Sequence, residues 1–274
     1  MRNSRSSVIL HLNMRQSSSW KIAPGSLEYP LVIAHRGGAG MAPENTLAAF
    51  RRALEVGADA IELDVRLTRD RQVVVIHDRS LERTTTGQGA VGTHTLEELK
   101  HLDAGSWYGP QFSGEQVPTL IEVFEALPVY FPIYVEIKAR GTGAALLAMG
   151  VINIIRRYGR WESTMVASFN PLAMAFIRAI DPRITRGYIW SGHHPLPLRA
   201  RWLSPLVQPH WLAPDRRTLT PELLSRFHSQ GKSVAAWDLD VCTDMERLGE
   251  IGLDAAVTDH PESLVRQKHG MTQR

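Results

Sequence analysis

Two patterns of apolar and polar positions take turns along the chain. Short β-branched runs, "LVIAHRG", "DAIELDV", "IYVEIK", "TMVASFN", "ITRGYIW", "PLVQPHW", "SVAAWDLD" and "AAVTDHP", each close on polar or ionisable residues. Most are separated by stretches of helical period. "NTLAAFRRALEVG" sets Leu47, Phe50, Ala53 and Leu54 on one face, with Asn45 or Thr46 as cap and Gly57 as stop. "AALLAMGVINIIRRYG", "NPLAMAFIRAI", "TPELLSRFHSQG" and "DMERLGEIG" follow the same logic. Strand, helix, strand in series implies right-handed crossovers and a parallel sheet. Eight such runs predict an α/β fold closed as a (β/α)8 TIM barrel, in which chemistry gathers at the C-terminal strand ends. His35 and Arg36, Glu62 and Asp64, Glu136 and Lys138, Ser168, His210, Trp237 and Asp259 are all expected at or near those ends.

"QVVVIHD" stands outside this count. Only a few residues separate it from Val65, far short of the dozen or so that a parallel crossover needs. It is expected to return antiparallel as a β-hairpin. A turn centred near Asp70 sets His77 roughly opposite Leu63, beside Glu62 and Asp64, which share a strand face. A loop-rich insertion, residues 78–120, then breaks the pattern, with one helical piece around "TLEELKHL". Its position directly after His77 predicts a cover over the barrel mouth. The domain reading is an N-terminal extension over 1–29, expected to be disordered, a barrel over 30–268 and a tail over 269–274.

Composition narrows the partners. The 274 residues are 43% hydrophobic and 22% charged, with a net charge of +3 spread too thinly to argue for nucleic acid. The single cysteine, Cys242, excludes an internal disulfide and a CxxC metal site, so a reducing cytoplasm is the expected location. No apolar run reaches the roughly 20 residues of a membrane span, so no stable membrane insertion is expected. Oligomeric state is not written in these patterns.

Three carboxylates, Glu62, Asp64 and Glu136, converge on one rim. Hard oxygen donors of this kind suit Mg2+, Ca2+ or Mn2+. They equally allow a rim salt-bridge network with Arg36, Lys138 and Arg66. His35 and His77, on different strands beside these acids, supply the side-chain type that can both take and give a proton near neutral pH. Arg36 offers a planar donor fork for a phosphate and Lys138 a mobile cation. Together they point to metal-assisted phosphoester cleavage. "GGAG" at 37–40 lacks the dinucleotide-binding spacing, and no P-loop is present.

These residues resemble the glycerophosphodiester phosphodiesterase family, on the phospholipase-C-like phosphodiesterase barrel. The resemblance runs through "AHRGGAGMAPENTLAAF", "GADAIELDVRLTRDRQVVVIHD", "RTTTGQG", "VPTLIEVFEAL", "YVEIK", "VASFNP" and "VAAWDLD…GLDAAVTDHP", from about Leu31 to Leu264. It implies that His35 and His77 are the acid-base pair and that Glu62, Asp64 and Glu136 hold one divalent cation, Ca2+ or Mg2+. It implies a phosphate contact for Arg36, a substrate contact for Lys138, a pocket-lining role for Trp237, and loop support from Asn45. It also implies hydrolysis of small glycerophosphodiesters, such as glycerophosphocholine and glycerophosphoethanolamine, to glycerol 3-phosphate and an alcohol, and an insertion over the barrel mouth.

Where many members read "WTVN", this chain has "WDLD", placing Asp238 and Asp240 near the pocket. The apolar, aromatic stretch "GYIWSGHHPLPLRARWL" raises an alternative, a lysophospholipase D acting on lysophospholipids. An aldolase or isomerase on the same barrel would need a Schiff-base lysine or a carbon-acid base and no phosphate fork. A non-catalytic binding module would lack part of the proton-transfer or metal set.

Overall fold

The computed structural model describes residues 20–138, 143–191, 204–239 and 245–272. Its strands are β1 (Leu31–Ala34), β2 (Ala60–Leu67), β3 (Val73–Val75), β4 (Ile133–Ile137), β5 (Thr164–Ser168), β6 (Thr185–Trp190), β7 (Trp211–Pro214), β8 (Ser233–Leu239) and β9 (Ala255–Thr258). All but β3 pair in parallel in the order β1-β9-β8-β7-β6-β5-β4-β2, and β1 pairs β2 to close the ring. The closed eight-stranded barrel is therefore the expected TIM barrel.

The helices among the described residues are α1 (Leu47–Glu55), α2 (Leu96–Lys100), α3 (Leu120–Ala126), α4 (Gly143–Tyr158), α5 (Pro171–Ile180), α6 (Ser204–Val207), α7 (Pro221–Ser229), α8 (Met245–Glu250) and α9 (Pro261–Thr272). Thr46 is the cap of α1, its hydroxyl accepting Ala49 N–H, and Ala49, Phe50 and Ala53 are buried on the inner face. None of the helices is long and apolar enough to cross a membrane, among the described residues.

Strand alternation divides the barrel. Leu31 and Ile33, Ala60, Tyr134, Met165 and Ala167, Ile189, Trp211 and Ala213, Ala235, and Ala255 and Val257 form one interior cluster. Residues of opposite parity, such as Ile61, Leu63, Val135 and Val166, pack with the helices. Continuing the interior series in steps of two gives His35, Glu62, Asp64, Glu136, Lys138, Phe169, Trp237 and Asp259. The apolar interior of the barrel thus ends, at its C-terminal mouth, in the polar residues of the site. At the other end Trp20 is 2% exposed and packs edge-on against Tyr134 and Trp211, donating its Nε1–H to Ser163 O.

The hairpin register matches the expectation: Val65 pairs Val75, Arg66 pairs Val74 and Leu67 pairs Val73. Each pair sums to 140, twice the number of Asp70. In the turn, Asp70 Oδ1 accepts from Thr68 Oγ1 at 2.6 Å and from Leu96 N at 3.0 Å.

Two expectations are corrected. The seventh run does not end at His210: Ser204–Val207 forms the short α6, and β7 starts one residue after the histidine. Pro205 starts that helical turn and Pro209 follows it, so the apolar run before His210 is not extended sheet. His210 therefore lies at the barrel's N-terminal end, where its Nδ1 accepts Arg186 N–H at 3.0 Å. The N-terminal extension also changes, because Trp20 to Tyr29 lie against the barrel rather than apart from it. The insertion has a core of its own. Leu81, Val91, Leu99, Ala104 and Val117 bury themselves against Val74 and Ile76 of the hairpin as a separate small core. Having its own apolar residues to bury, the segment packs on the hairpin.

Candidate active site

After β1 the chain turns sharply. Arg36 has φ 51°, and Gly37 and Gly38 follow at 86° and 89°, a left-handed region that glycine enters without penalty. A Cβ on Gly37 would lie 2.7 Å from Ala49 Cβ, so the turn also needs glycine for its close approach to α1. The turn aims the Arg36 N–H at Glu62 Oε2, 2.9 Å away.

Glu62 and Asp64 leave β2 on the same face, and the parallel register sets Asp64 beside Glu136 of β4. The three offer carboxylate oxygens within 4.8 Å of one another, and all three residues are buried. Asn45, itself at φ 58°, donates to Asp64 Oδ2 at 2.9 Å and accepts Asp64 N–H at 3.1 Å. Lys138 Nζ sits 2.7 Å from Glu136 Oε1 and 3.2 Å from Asp64 Oδ1. Arg36 Nε lies 3.4 Å from Asp64 Oδ2. Of the salt-bridge network, Arg36 and Lys138 take part, while the Arg66 guanidinium instead donates to the carbonyls of His77 and Lys138.

Electrostatics leave this cluster short of positive charge. Burial, with Asp64 adding to it, pushes Glu62 up to about 8. Burial also raises Glu136, against the pull of Lys138. Burial works the same way on Asp64, but Lys138 and Arg36 outweigh it and hold that carboxyl below its usual range. Glu62 Oε1 is buried with no hydrogen-bond partner among the described residues, which is costly for a carboxylate unless a cation meets it. Three buried hard-oxygen donors with one orphaned oxygen fit a metal ion.

The two histidines face the same cavity, of about 170 Å³, which is lined by His35, Arg36, Glu62, His77, Tyr134, Glu136, Lys138, Phe169, Ile189, Trp237, Asp238 and Val257. No residue of 79–120 lines it. Each ring is held at Nδ1 by a carboxylate: His35 by Asp259 at 2.8 Å, His77 by Asp78 at 2.6 Å. Burial opposes charge on His35, but the Asp259 hydrogen bond and the Glu62 charge overcome it and push His35 up to about 9. Burial lowers His77 below the ordinary histidine value, with Lys138 and Arg36 adding to it against Asp64. Environments that drive two titratable groups apart suit one proton donor and one acceptor.

Trp237 fixes its indole by donating Nε1–H to Ala213 O at 2.9 Å, and meets Phe169 edge-on at 5.8 Å. Lys138 Nζ lies 5.8 Å from the Phe169 ring centroid. Asp238 lines the cavity with its side chain 58% exposed. Asp240 and Cys242 fall outside the described residues.

All eight candidate site residues thus come together around one cavity or, for Asp64, directly behind it. Sequence reasoning missed the supporting layer of Asp78, Glu44 and Arg83. Arg83 Nε donates to Asp78 Oδ2 at 2.6 Å, and its two terminal nitrogens bond both Glu44 oxygens. The available signals were small: Asp78 follows His77 directly, and Glu44 and Arg83 sit inside "PENT" and "ERTTTG".

Comparison with known proteins agrees with this geometry. Residues 35–263 match the model of the Glycerophosphoryl diester phosphodiesterase family. A glycerophosphodiester phosphodiesterase of Caldanaerobacter subterraneus subsp. tengcongensis is 40% identical over 237 residues, covering 86% of this chain and 96% of its own. The human lysophospholipase D GDPD1 is 29% identical, over 85% of this chain and 84% of its own. Among solved structures, an Oleispira antarctica phosphodiesterase, OLEI02445, in complex with the product sn-glycerol-3-phosphate, superposes with a TM-score of 0.79. It shares 31% identity, over 88% of this chain and 97% of its own. On barrel, site and sequence together, the chain is an enzyme and belongs to the glycerophosphoryl diester phosphodiesterase family.

Proposed function

We propose that this chain hydrolyses small glycerophosphodiesters, such as glycerophosphocholine and glycerophosphoethanolamine, to glycerol 3-phosphate and the free alcohol, by acid-base catalysis between His35 and His77. One observation carries the reading: two carboxylate-anchored histidines from different strands face one cavity, with the buried Glu62, Asp64 and Glu136 cluster at its wall. Those three carboxylates would hold one divalent cation, Ca2+ or Mg2+ by their hard oxygen donors. Bound there, such an ion would place positive charge beside the phosphoryl oxygens.

The chain's own residues do the rest. Arg36 and Lys138 orient the phosphodiester as a planar fork and a point charge. With Nδ1 of each ring on a carboxylate, Nε2 is the atom left to exchange protons with substrate. In this reading the substrate's free 2-hydroxyl attacks phosphorus first: one histidine takes its proton and the other protonates the departing alcohol. A cyclic phosphate then opens by water with the two roles exchanged. Full turnover of a 2-deoxy analogue would eliminate the cyclic route.

Asp238 at the cavity wall favours a cationic alcohol such as choline or ethanolamine. Asp238→Asn should lower the turnover of glycerophosphocholine relative to glycerophosphoglycerol, and an unchanged ratio counts against that preference. The lysophospholipase D alternative draws on the human relative, but the stretch that raised it lies mostly outside the described residues. The cavity wall is largely polar and charged, with His35, Arg36, Glu62, His77, Glu136, Lys138 and Asp238, which favours the small polar diester. A reducing, cytoplasmic setting suits a chain with one cysteine.

A further inference from the structure

An unbroken line of hydrogen bonds runs behind the cavity. His77 Nδ1 meets Asp78 Oδ1 at 2.6 Å, and Asp78 Oδ2 accepts from Arg83 Nε at 2.6 Å. Arg83 Nη1 and Nη2 then donate to Glu44 Oε2 and Oε1 at 2.6 and 2.8 Å. Glu44 Oε1 accepts in turn from Arg36 Nη1 at 2.9 Å. Three separate pieces of chain contribute: the turn after β1, the end of the hairpin, and the insertion. Arg83 is the sole link in this line supplied from within 79–120, and it joins the histidine side to the phosphate-arginine side.

The chemistry of the link is specific. The guanidinium gives one edge to Asp78 and its fork to Glu44, a bidentate geometry no other side chain reproduces. Asp78 so held keeps the proton of neutral His77 on Nδ1, leaving the Nε2 lone pair toward the cavity. Such carboxylate support fixes tautomer and ring orientation. Glu44 so held anchors Arg36 Nη1 at 2.9 Å while its Nε stays 3.4 Å from Asp64 Oδ2. Glu44 is 8% exposed, so without Arg83 its charge would keep only Arg36 as partner, and the two would rearrange together.

We propose that Arg83 is a positioning residue that sets the His77 ring and the Arg36 guanidinium jointly, so that the insertion acts on catalysis through these two side chains. This rests on the roles proposed above for His77 and Arg36. It assigns the long insertion a task that its absence from the cavity wall would otherwise leave unexplained.

The test compares Arg83→Ala and Arg83→Gln with wild type in four readouts: kcat and KM on glycerophosphoethanolamine, glycerol 3-phosphate affinity by calorimetry, the thermal midpoint, and the 15N shifts of the His77 ring. Loss of geometry near 1 Å can cost about 100-fold in rate, so kcat is expected to fall about 10- to 100-fold. Glycerol 3-phosphate affinity should weaken several-fold through Arg36, and the His77 ring should show a mixture of Nδ1-H and Nε2-H forms. Because the residues act in one line, Arg83→Ala combined with Asp78→Asn should be no worse than the poorer single variant. Millimolar guanidinium should restore part of the Arg83→Ala activity.

The inference is overturned if kcat and product affinity stay within twofold of wild type, if the two substitutions simply multiply, or if the His77 shifts do not move. If Arg83→Ala does not fold, Arg83→Gln and Glu44→Gln carry the same comparison. Failure of the proposed function looks different, since wild type itself would then release no glycerol 3-phosphate. The ring shifts and product affinity of the variants judge Arg83 in that case too.

Discussion

Asn45 and Asp64 exchange two hydrogen bonds, Asn45 Nδ2 to Asp64 Oδ2 at 2.9 Å and Asp64 N to Asn45 Oδ1 at 3.1 Å. The buried amide thus sets the plane of a carboxylate in the candidate metal cluster. Second-layer groups of this kind are worth about 10- to 100-fold in metal affinity. Asn45→Ala should weaken divalent-cation binding by that factor in a calorimetric titration, with activity recovering as the ion is raised. Unchanged affinity would remove Asn45 from the site's support.

Register is the next consequence. Val65 opposite Val75 and Leu67 opposite Val73 depend on the length of the turn around Asp70. One inserted residue flips the faces of everything beyond it. A glycine added after Asp70 should leave the far-ultraviolet dichroism of the barrel in place while kcat drops by more than about 100-fold, since catalytic geometry tolerates little displacement. Retained activity would mean that His77 is not placed by the hairpin.

The pH dependence follows from burial. His77 is depressed below its ordinary value of 6.5, so its neutral form persists into mildly acid solution. The acid limb of kcat/KM should therefore fall off below 6.5, activity being full above the lowered value and lost as pH drops through it. The Asp78 hydrogen bond raises His77, so Asp78→Asn should carry the limb further toward acid. A limb that moves toward neutrality instead would contradict the assignment of His77 as the neutral partner.

Stability and catalysis separate at the two barrel ends. Trp20 is 2% exposed and closes the interior below Tyr134 and Trp211. Trp20→Ala should cost about 3 kcal/mol in urea unfolding, the range for large-to-small changes in a core. Activity per folded molecule should stay at the wild-type level, because the residue touches nothing at the mouth. A fall in kcat without loss of stability would be the contrary result.

Much of this architecture is legible in residue order. Every strand of the barrel but β7 carries its own signal, an apolar run ending in polar chemistry, and a hairpin too short for a crossover has one way to return. The convergence of His35, His77, Glu62, Asp64, Glu136, Arg36, Lys138 and Trp237 follows, because in a closed barrel neighbouring strand ends share one rim. Contacts between distant residues are not legible in the same way. Asp259 reaches His35 across 224 positions and Arg83 reaches Glu44 across 39, and no local pattern records either meeting. His210 was misplaced because an apolar run containing two prolines reads as a strand until the helical turn of α6 is seen. Trp20 was missed because one tryptophan in a polar, serine-rich segment has no periodicity to mark it as core.

The central claim, that His35 and the buried carboxylates drive hydrolysis of a glycerophosphodiester, is met most directly by one assay. Glycerol 3-phosphate release is measured from a panel of glycerophosphodiesters, with and without chelator, for wild type, His35→Ala and Glu62→Ala. The account predicts release by wild type that chelator abolishes and added divalent cation restores, and a loss of at least about 100-fold in each variant, the scale of removing one acid-base catalyst. Activity that survives in both variants, or that chelator leaves untouched, would contradict it.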